Sequence, residues 1–191
     1  MKIARTNRRS RGYTVVEVMM ALTVLAIGST GVIAMQKTAL LGNTNARNLA
    51  TATAVATTWA ERLRTDGMQW TSTNGVSNLA ATRWLSGAIP SPAVALWFSP
   101  VEMATFGSPR ADILGADIYA AETEAQAFCT ELRLTSFPVP AGTSPHLIRA
   151  EIRVFWSRDG DPVACDTPNV ETLYGRYGFV YVTTAIHQNV L

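Results

Sequence analysis

Residues 9 to 17 read Arg-Ser-Arg-Gly-Tyr-Thr-Val-Val-Glu, and the apolar run that follows contains no further charge before Lys37. A helix over the 23 residues from 13 to 35 would be about 35 Å long, which is enough to cross a bilayer. Glu17 is the only charged residue in that run. An ionised side chain inside a membrane helix is costly and is usually functional. The segment therefore predicts a membrane anchor with a functional acid near its start.

The positive charge of the chain is concentrated at its N-terminus. Of the 16 Lys and Arg residues, five lie in the first twelve positions, which contain no acid: Lys2, Arg5, Arg8, Arg9 and Arg11. Residues 13–191 contain the other 11 basic residues and 14 acidic ones, so they carry a formal charge of −3. The basic balance of the whole chain thus comes from its first residues. It gives no electrostatic support for nucleic-acid binding.

The same charges predict the orientation of the anchor. Five cations precede the apolar run and only Lys37 and Arg47 follow it closely, so the N-terminus is expected in the cytoplasm and the rest outside. Cys129 and Cys165 would then lie in an oxidising compartment, where an even pair favours a disulfide over two unpaired buried thiols. The alternatives to a processed membrane anchor are a cleaved secretory signal and an uncleaved signal anchor. The apolar run is longer than the apolar region of a secretory signal, which usually has about 7–15 residues.

A helical pattern continues beyond the membrane-length run. Apolar and small residues recur at steps of three and four, which is typical of an amphipathic helix; the stripe consists of Leu41, Asn45, Leu49, Ala52, Ala56, Trp59 and Leu63. No proline occurs before Pro90. The pattern predicts one helix over about residues 14–66, with Gly67 as its C-cap.

The second half of the chain predicts a sheet. Residues 67–127 are punctuated by Gly, Ser, Thr, Asn and Pro and indicate a connecting region with short helices or strands. Strand patterns then occur at Phe128–Phe137, Leu147–Trp156 and Tyr177–Ile186. A long helix followed by an antiparallel sheet is an α+β order.

Residue types that often perform chemistry form no site in this sequence. His146 and His187 are isolated, and no cluster has the spacing of metal ligands or of a nucleophile or nucleotide motif. We therefore predict no catalytic residue, no metal and no cofactor. Trp59 and Trp156 lie on apolar stripes and are expected in the core. Three further tryptophans are open between core packing and a partner surface: Trp70, Trp84 and Trp97.

Residues 12–17, Gly-Tyr-Thr-Val-Val-Glu, resemble the Gly-Phe-Thr-Leu-Ile-Glu signal of type IV pilins and type II secretion pseudopilins. Tyr stands in place of Phe and Val-Val in place of Leu-Ile, which keeps the chemical type at each position. Four further parts of the chain look like the minor pilins called PilV: residues 17–28, Gly31, residues 35–43 and residues 60–66. The resemblance covers about residues 9–66 and is only architectural beyond them. It implies a pilin fold, in which a long N-terminal helix packs against an antiparallel sheet.

The resemblance implies a role for several residues of the signal. Gly12 would be the last leader residue, cut by prepilin peptidase, and Tyr13 the new N-terminus with a methylated amine. Glu17 would pair with the N-terminal amine of a neighbouring subunit, because pairing offsets the desolvation of two buried charges; the alternative is an acid favoured by the helix dipole. Gly28 and Gly31 would loosen the helix in the filament, or alternatively pack against helices in the membrane.

The implied protein is a non-enzymatic, PilV-like minor pilin. It would wait in the inner membrane and then join the pilus tip through the inner-membrane assembly platform, with other minor pilins, the major pilin and a PilY-type adhesin. Adhesion, twitching motility and DNA uptake are all open as outcomes. The rival functions are a minor pseudopilin of a type II secretion system and a membrane-anchored periplasmic enzyme. As a minor pilin, the chain would consist of a cleaved basic leader (1–12), a transmembrane half-helix (13–35), an amphipathic periplasmic half-helix (36–66) and a head (67–191). The head would contain a connecting region (67–127) and a sheet (128–191).

Overall fold

The protein is described by a computed structural model over residues 12–73, 76–90, 95–104, 106–119, 125–137, 145–165 and 170–190. The five cations of the predicted leader lie outside these residues. The chain forms two compact units, Met1–Thr44 and Asn45–Leu191. One long helix, α1, extends over Val15–Gln69 and so contributes to both units.

In the first unit, every described residue from 12 to 44 is exposed. Among the described helices, α1 alone is long and apolar enough to cross a membrane, with a mean hydropathy of 2.1 over its most apolar 18 residues. Length and composition therefore permit a membrane span, although signal sequences share these two properties.

The second unit, residues 45–191, contains two sheets among its described residues. The strands in chain order are β1 (Thr71–Thr73), β2 (Val76–Ser77), β3 (Ile89–Pro90), β4 (Arg110–Ala111), β5 (Asp117–Ile118), β6 (Phe128–Ser136), β7 (Leu147–Ser157), β8 (Tyr177–His187) and β9 (Asn189–Val190). The larger sheet has the order β5-β4-β6-β7-β8, and β3 pairs in parallel with β6. The smaller sheet has the order β2-β1-β9, in which β9 is parallel to β1.

The three long strands form an antiparallel meander, and the α+β order with its helix-on-sheet packing is confirmed. Their bounds differ by one residue from the ends predicted at Phe137, Trp156 and Ile186. Two patterns explain the accuracy: apolar residues at every second position of residues 148–156, and the β-branched and aromatic content of residues 177–186, both of which suit strands. The sheet nevertheless begins before residue 128, because β4 and β5 from the connecting region extend it.

The main core lies between α1 and one face of the larger sheet. Trp59 and Leu63 of α1 are fully buried there with Leu132 and Ile152 of the sheet. Trp156 shares this core, and Trp84 packs edge-on against Trp59 with ring centroids 5.3 Å apart. Full burial of each such side chain stabilises the fold by about 1.5–3 kcal/mol.

The predicted amphipathic stripe is only partly buried. Leu41, Asn45 and Leu49 are exposed, and burial along α1 begins in the turn that contains Ala52. The reason is that the main core involves α1 only from Ala52 onwards. The periodic pattern therefore marks helix throughout but does not mark where the core starts.

The C-terminal end of α1 differs from the prediction. Gly67 is not the C-cap, because α1 continues to Gln69 and Gly67 is buried inside it. A Cβ at this position would lie 2.4 Å from Cγ2 of Ile186, so glycine is required by the close approach of β8. The carbonyls of Met68 and Gly67 instead accept hydrogen bonds from the Asn189 side chain, at 2.9 and 3.4 Å.

The buried Asp66 carboxylate caps a short 3-10 helix of the connecting region. It accepts the backbone N–H groups of Arg83, Trp84 and Leu85 at 2.9, 2.9 and 3.1 Å. These are unsatisfied donors at the start of the helix Leu85–Gly87. The acid therefore fixes the connecting region to the end of α1.

A second, smaller core lies on the opposite face of the larger sheet, here called the outer face. Cys129 of β6 and Cys165 form a disulfide across a sequence separation of 36, with Cα atoms 5.2 Å apart. Phe155, Val163 and Val170 are buried around it. The disulfide thereby holds the chain that follows β7 against this face of the sheet.

Candidate assembly segment

The helix α1 starts with a capping box formed by Thr14 and Glu17. The backbone N–H of Glu17 donates to the Thr14 hydroxyl oxygen at 3.2 Å, and the Thr14 N–H donates to Glu17 Oε2 at 3.1 Å. The Thr14 hydroxyl donates to the same oxygen at 3.2 Å. These reciprocal bonds satisfy two donors that a helix start leaves without partners. The pattern Thr-x-x-Glu is visible in the sequence, but our sequence analysis missed its capping function.

Gly12 and Tyr13 precede the helix. Both are exposed, Tyr13 to 88%, and the peptide bond between them lies in non-helical backbone. The capping box therefore starts the helix just after the predicted cleavage position. A Cβ added to Gly12 would meet no atom within 4 Å.

The first turns of α1 present large apolar side chains to the outside of the molecule. Their exposed fractions exceed half in almost every case, and the set includes Val15, Val16, Met19, Met20, Leu22, Val24, Leu25, Ile27, Ile33 and Met35. A continuous apolar surface of this length is typical of a segment that contacts lipid or other protein chains.

Comparison with known protein families explains this segment. Residues 7–33 match the family described as prokaryotic N-terminal methylation motif. The chain carries a prepilin-type methylation motif. The motif supports a type IV pilin-like or pseudopilin-like protein. The family of proteins with this motif is structural rather than enzymatic. The motif implies processing by a prepilin peptidase and assembly with other pilins. No curated protein and no solved structure matches the chain.

Hydroxyl groups within the methylation motif are satisfied by the helix itself. Thr23 donates to the carbonyl of Met20 at 2.8 Å, Ser29 to Ala26 at 2.9 Å and Thr30 to Ile27 at 2.7 Å. Such bonds remove the cost of taking a hydroxyl out of water. The segment can therefore enter an apolar environment while these hydroxyl groups keep their hydrogen-bond partners.

Gly28 and Gly31 lie inside α1 within the matched segment. A Cβ added to either would meet no atom within 4 Å. Contacts with the described residues thus give no reason for glycine at these positions, where each costs about 1 kcal/mol of helix stability relative to Ala. A reason must come from contacts outside the chain or from a need to loosen the helix, and both alternatives stay open.

The outer face of the head contains a group of paired charges. Arg153 Nε donates to Glu131 Oε2 at 2.8 Å, and Arg153 Nη1 donates to Glu171 at 2.5 Å. Arg133 donates to Glu151 at 2.6 Å. Burial raises the pKa of Glu131, although its bond to Arg153 acts in the opposite direction. The charges of these five side chains are thus compensated by their neighbours on this face.

The structure shows where the three tryptophans lie whose location the sequence left open. Trp70 and Trp84 are buried in the main core. Trp97 is half-buried on the outer face, where the guanidinium carbons of Arg133 and Arg153 lie 4.6 and 4.4 Å from its ring centroid. Such cation–π contacts contribute about 0.5–2 kcal/mol each.

Proposed function

We propose that the protein is a PilV-like minor pilin of a type IV pilus, which acts without catalysis in the tip complex that primes assembly and presents a PilY-type adhesin. One observation carries the proposal. The methylation motif opens an apolar helical surface, residues 12–44, that has no buried residue within the chain. A surface of this kind is suited first to lipid and then to packing among other pilin helices.

In this proposal, prepilin peptidase cuts after Gly12 on the cytoplasmic side, and the amine of Tyr13 is then methylated. The exposed, non-helical Gly12–Tyr13 bond supports this, because a protease requires access to extended backbone. Residues 13–35 anchor the chain in the inner membrane by a single helix, and residues 36–66 continue it in the periplasm. The head, residues 67–191, carries the contacts specific to this subunit.

Glu17 is proposed to pair with the N-terminal amine of a neighbouring subunit. Its carboxylate already accepts two bonds from Thr14. A carboxylate can accept about four hydrogen bonds, so the capping box leaves room for an ammonium group. Glu17 can therefore form the capping box and pair with an amine at the same time. The proposed assembly role requires its negative charge in addition to the capping box.

Mass analysis of the mature N-terminus tests the processing. The bacterium that produces the chain is expected to yield a protein that starts at Tyr13 with one methyl group on the amine. A chain that keeps Met1, or one cut near residue 31, would contradict the proposal.

Two substitutions at Glu17 separate the charge from the cap. Glu17→Gln keeps an N3 acceptor for the capping box but removes the charge, whereas Glu17→Ala removes both. We expect both variants to lose the leader normally and to be poorly incorporated into sheared pili. Normal incorporation of Glu17→Gln would refute charge pairing, because the cap alone would then suffice.

A minor pseudopilin of a type II secretion system is the second candidate, since the methylation motif supports it equally. Deletion of the gene distinguishes the two. Loss of surface pili with normal protein secretion is expected for the pilin. Loss of secretion with normal pili would establish the pseudopilin instead.

A further inference from the structure

The disulfide on the outer face presents its two halves differently. Cys129 belongs to β6, where it lies between Arg110 of β4 and Phe155 of β7, and it is fully buried. Cys165 lies outside the described strands and keeps an exposed fraction of 8%. One half of the bond is therefore fixed inside the sheet, and the other is carried by irregular chain at its surface.

An open cavity leads to the Cys165 half of the bond. It has a volume of about 500 Å³ and is lined by the connecting region and the chain after β7: Ser99, Arg110, Gln126 and residues 162–165. Among these described lining residues, Cys165 is present and Cys129 is absent. Cavities of about 300–1,000 Å³ accommodate small molecules. A small molecule in this cavity would therefore meet Cys165 first.

The Gln126 side chain lies against both sulfurs. Its Nε2 donates to Cys129 Sγ at 3.0 Å and to Cys165 Sγ at 2.9 Å, and it also bonds to the Val163 carbonyl. Negative charge in a buried place is costly unless a hydrogen-bond donor faces it. Gln126 thus provides a donor for a thiolate on Cys129 if the disulfide opens.

We propose that Cys165 is a site of thiol–disulfide exchange with small thiols, and that Cys129 is the sulfur that leaves and later closes the bond again. The attacking thiolate forms a bond to Cys165 Sγ while the Cys129–Cys165 bond breaks, and the electron pair of that bond passes to Cys129 Sγ. In the reverse step, the Cys129 thiolate attacks Cys165 Sγ and expels the small thiol. The inference stands on the head alone and does not depend on the proposed place in a pilus.

Opening the bond in this way would release only one part of the head. Val163 and Val170 are buried with Phe155 around the disulfide. Cys165 would carry the small thiol away with the chain after β7, whereas Cys129 is held by its strand neighbours. The main core lies on the other face of the sheet and contains neither cysteine. The exchange should therefore proceed without unfolding of the head.

Mass spectrometry of the trapped mixed disulfide tests which sulfur is attacked. The full-length protein in detergent micelles is treated with excess reduced glutathione without denaturant, and acid then stops the exchange by protonating thiolates. Digestion in acid is expected to yield glutathione on the peptide that contains Cys165. Glutathione on Cys129, or on both cysteines equally, would overturn the proposal.

Two matched substitutions test access through the cavity. Ala164→Trp places a large side chain at an exposed position of the cavity wall and is expected to slow formation of the adduct at least about tenfold, because exchange depends on access to the sulfur. Ala80→Trp makes the same change at an exposed position that does not line the cavity and is expected to leave the rate unchanged. Near-UV circular dichroism verifies the fold of both. Equal rates in the two variants would contradict the proposed route.

A third variant separates local opening from unfolding. Leu63→Ala destabilises the main core, and it would accelerate the exchange about a hundredfold or more if the whole head had to unfold first. The proposal expects a rate within about twofold of the wild type, since a local opening does not use the global equilibrium. Acceleration of that size, or a reaction that occurs only in urea, would show that the folded protein shields both sulfurs.

Discussion

Residues 12–44 and residues 45–191 share the helix α1 but differ in how its side chains are accommodated. In the first unit no described side chain is buried, and hydroxyls bond to carbonyls of the same helix. In the second, Trp59 and Leu63 of α1 are fully buried under the sheet, and a disulfide ties the outer face. The first unit therefore depends on surroundings that the chain does not supply, whereas the second is stabilised by its own contacts.

The sharpest test of this comparison is one substitution made in both units. Leu63→Ala empties a buried position and is expected to lower the free energy of unfolding of the head by about 3–5 kcal/mol. Leu22→Ala, at a side chain that is 59% exposed, is expected to change it by less than about 0.5 kcal/mol. Urea unfolding in detergent, followed by near-UV circular dichroism, measures both. A large effect of Leu22→Ala would mean that the first unit also stabilises the head.

Removal of the disulfide is expected to be nearly as costly. Replacement of Cys129 and Cys165 by Ser together removes a crosslink over a separation of 36 residues, which the chain-entropy model values at about 3–4 kcal/mol. The same unfolding experiment measures the loss, with the oxidised wild type as control. The helical far-UV signal of the folded variant should stay unchanged, and its loss would show that α1 itself depends on the disulfide.

Glycine substitutions should act in opposite directions in the two units. Gly67→Ala places a Cβ against Ile186 and is expected to cost about 1–3 kcal/mol of head stability. Gly28→Ala meets no neighbouring atom and is expected to strengthen the helix by up to about 1 kcal/mol. Thermal unfolding and helix content by circular dichroism report the two effects. A stabilising Gly67→Ala would show that β8 can move away from α1.

The smallest expected effect concerns pH. Burial would raise the pKa of Glu151, but the hydrogen bond from Arg133 and the charges of Arg133 and Arg149 together lower it. Its stabilisation is therefore present above the unfolded pKa of about 4.3 and is lost as the pH falls through the lower folded pKa. Glu151→Gln is expected to cost less than about 1 kcal/mol at pH 7, because Arg133 and Arg149 are partly exposed.

Urea unfolding of the Glu151 variant between pH 7 and pH 3 measures this dependence. The difference from wild type should shrink towards the acid end of that range. Glu61→Gln is the matched control, since its pair with Arg64 is exposed on both sides. An equal loss in both variants would mean that the Glu151 pair is no stronger than an ordinary surface contact.

Local patterns allowed the sequence to predict the long elements. The alternation in residues 147–156 gave β7 to within one residue, and the three- and four-residue steps of α1 gave a single helix. The processing signal was also readable, because the acid, the glycine and the apolar run are contiguous. The pairing of Cys129 with Cys165 needed only an even number of cysteines and an expected oxidising compartment.

Long-range contacts explain what the sequence could not provide. Gly67 looked like a C-cap because glycine commonly ends helices, yet the carbonyls of Gly67 and Met68 are bound by Asn189, far along the chain. Asp66 caps residues 83–85 across a connecting region whose register one sequence does not reveal. Leu49 and Ala52 belong to one stripe, and only tertiary packing decides that the second is buried.

The pairing of β9 with β1 has a consequence for the order of folding. β1 follows α1 directly, yet its parallel partner is β9 at residues 189–190, and Gln188 donates to the Thr71 carbonyl at 3.3 Å across 117 positions of sequence. The end of α1 can therefore be closed only after β6, β7 and β8 have been synthesised. A polypeptide that stops before residue 188 would contain the main core but would leave β1 without this partner.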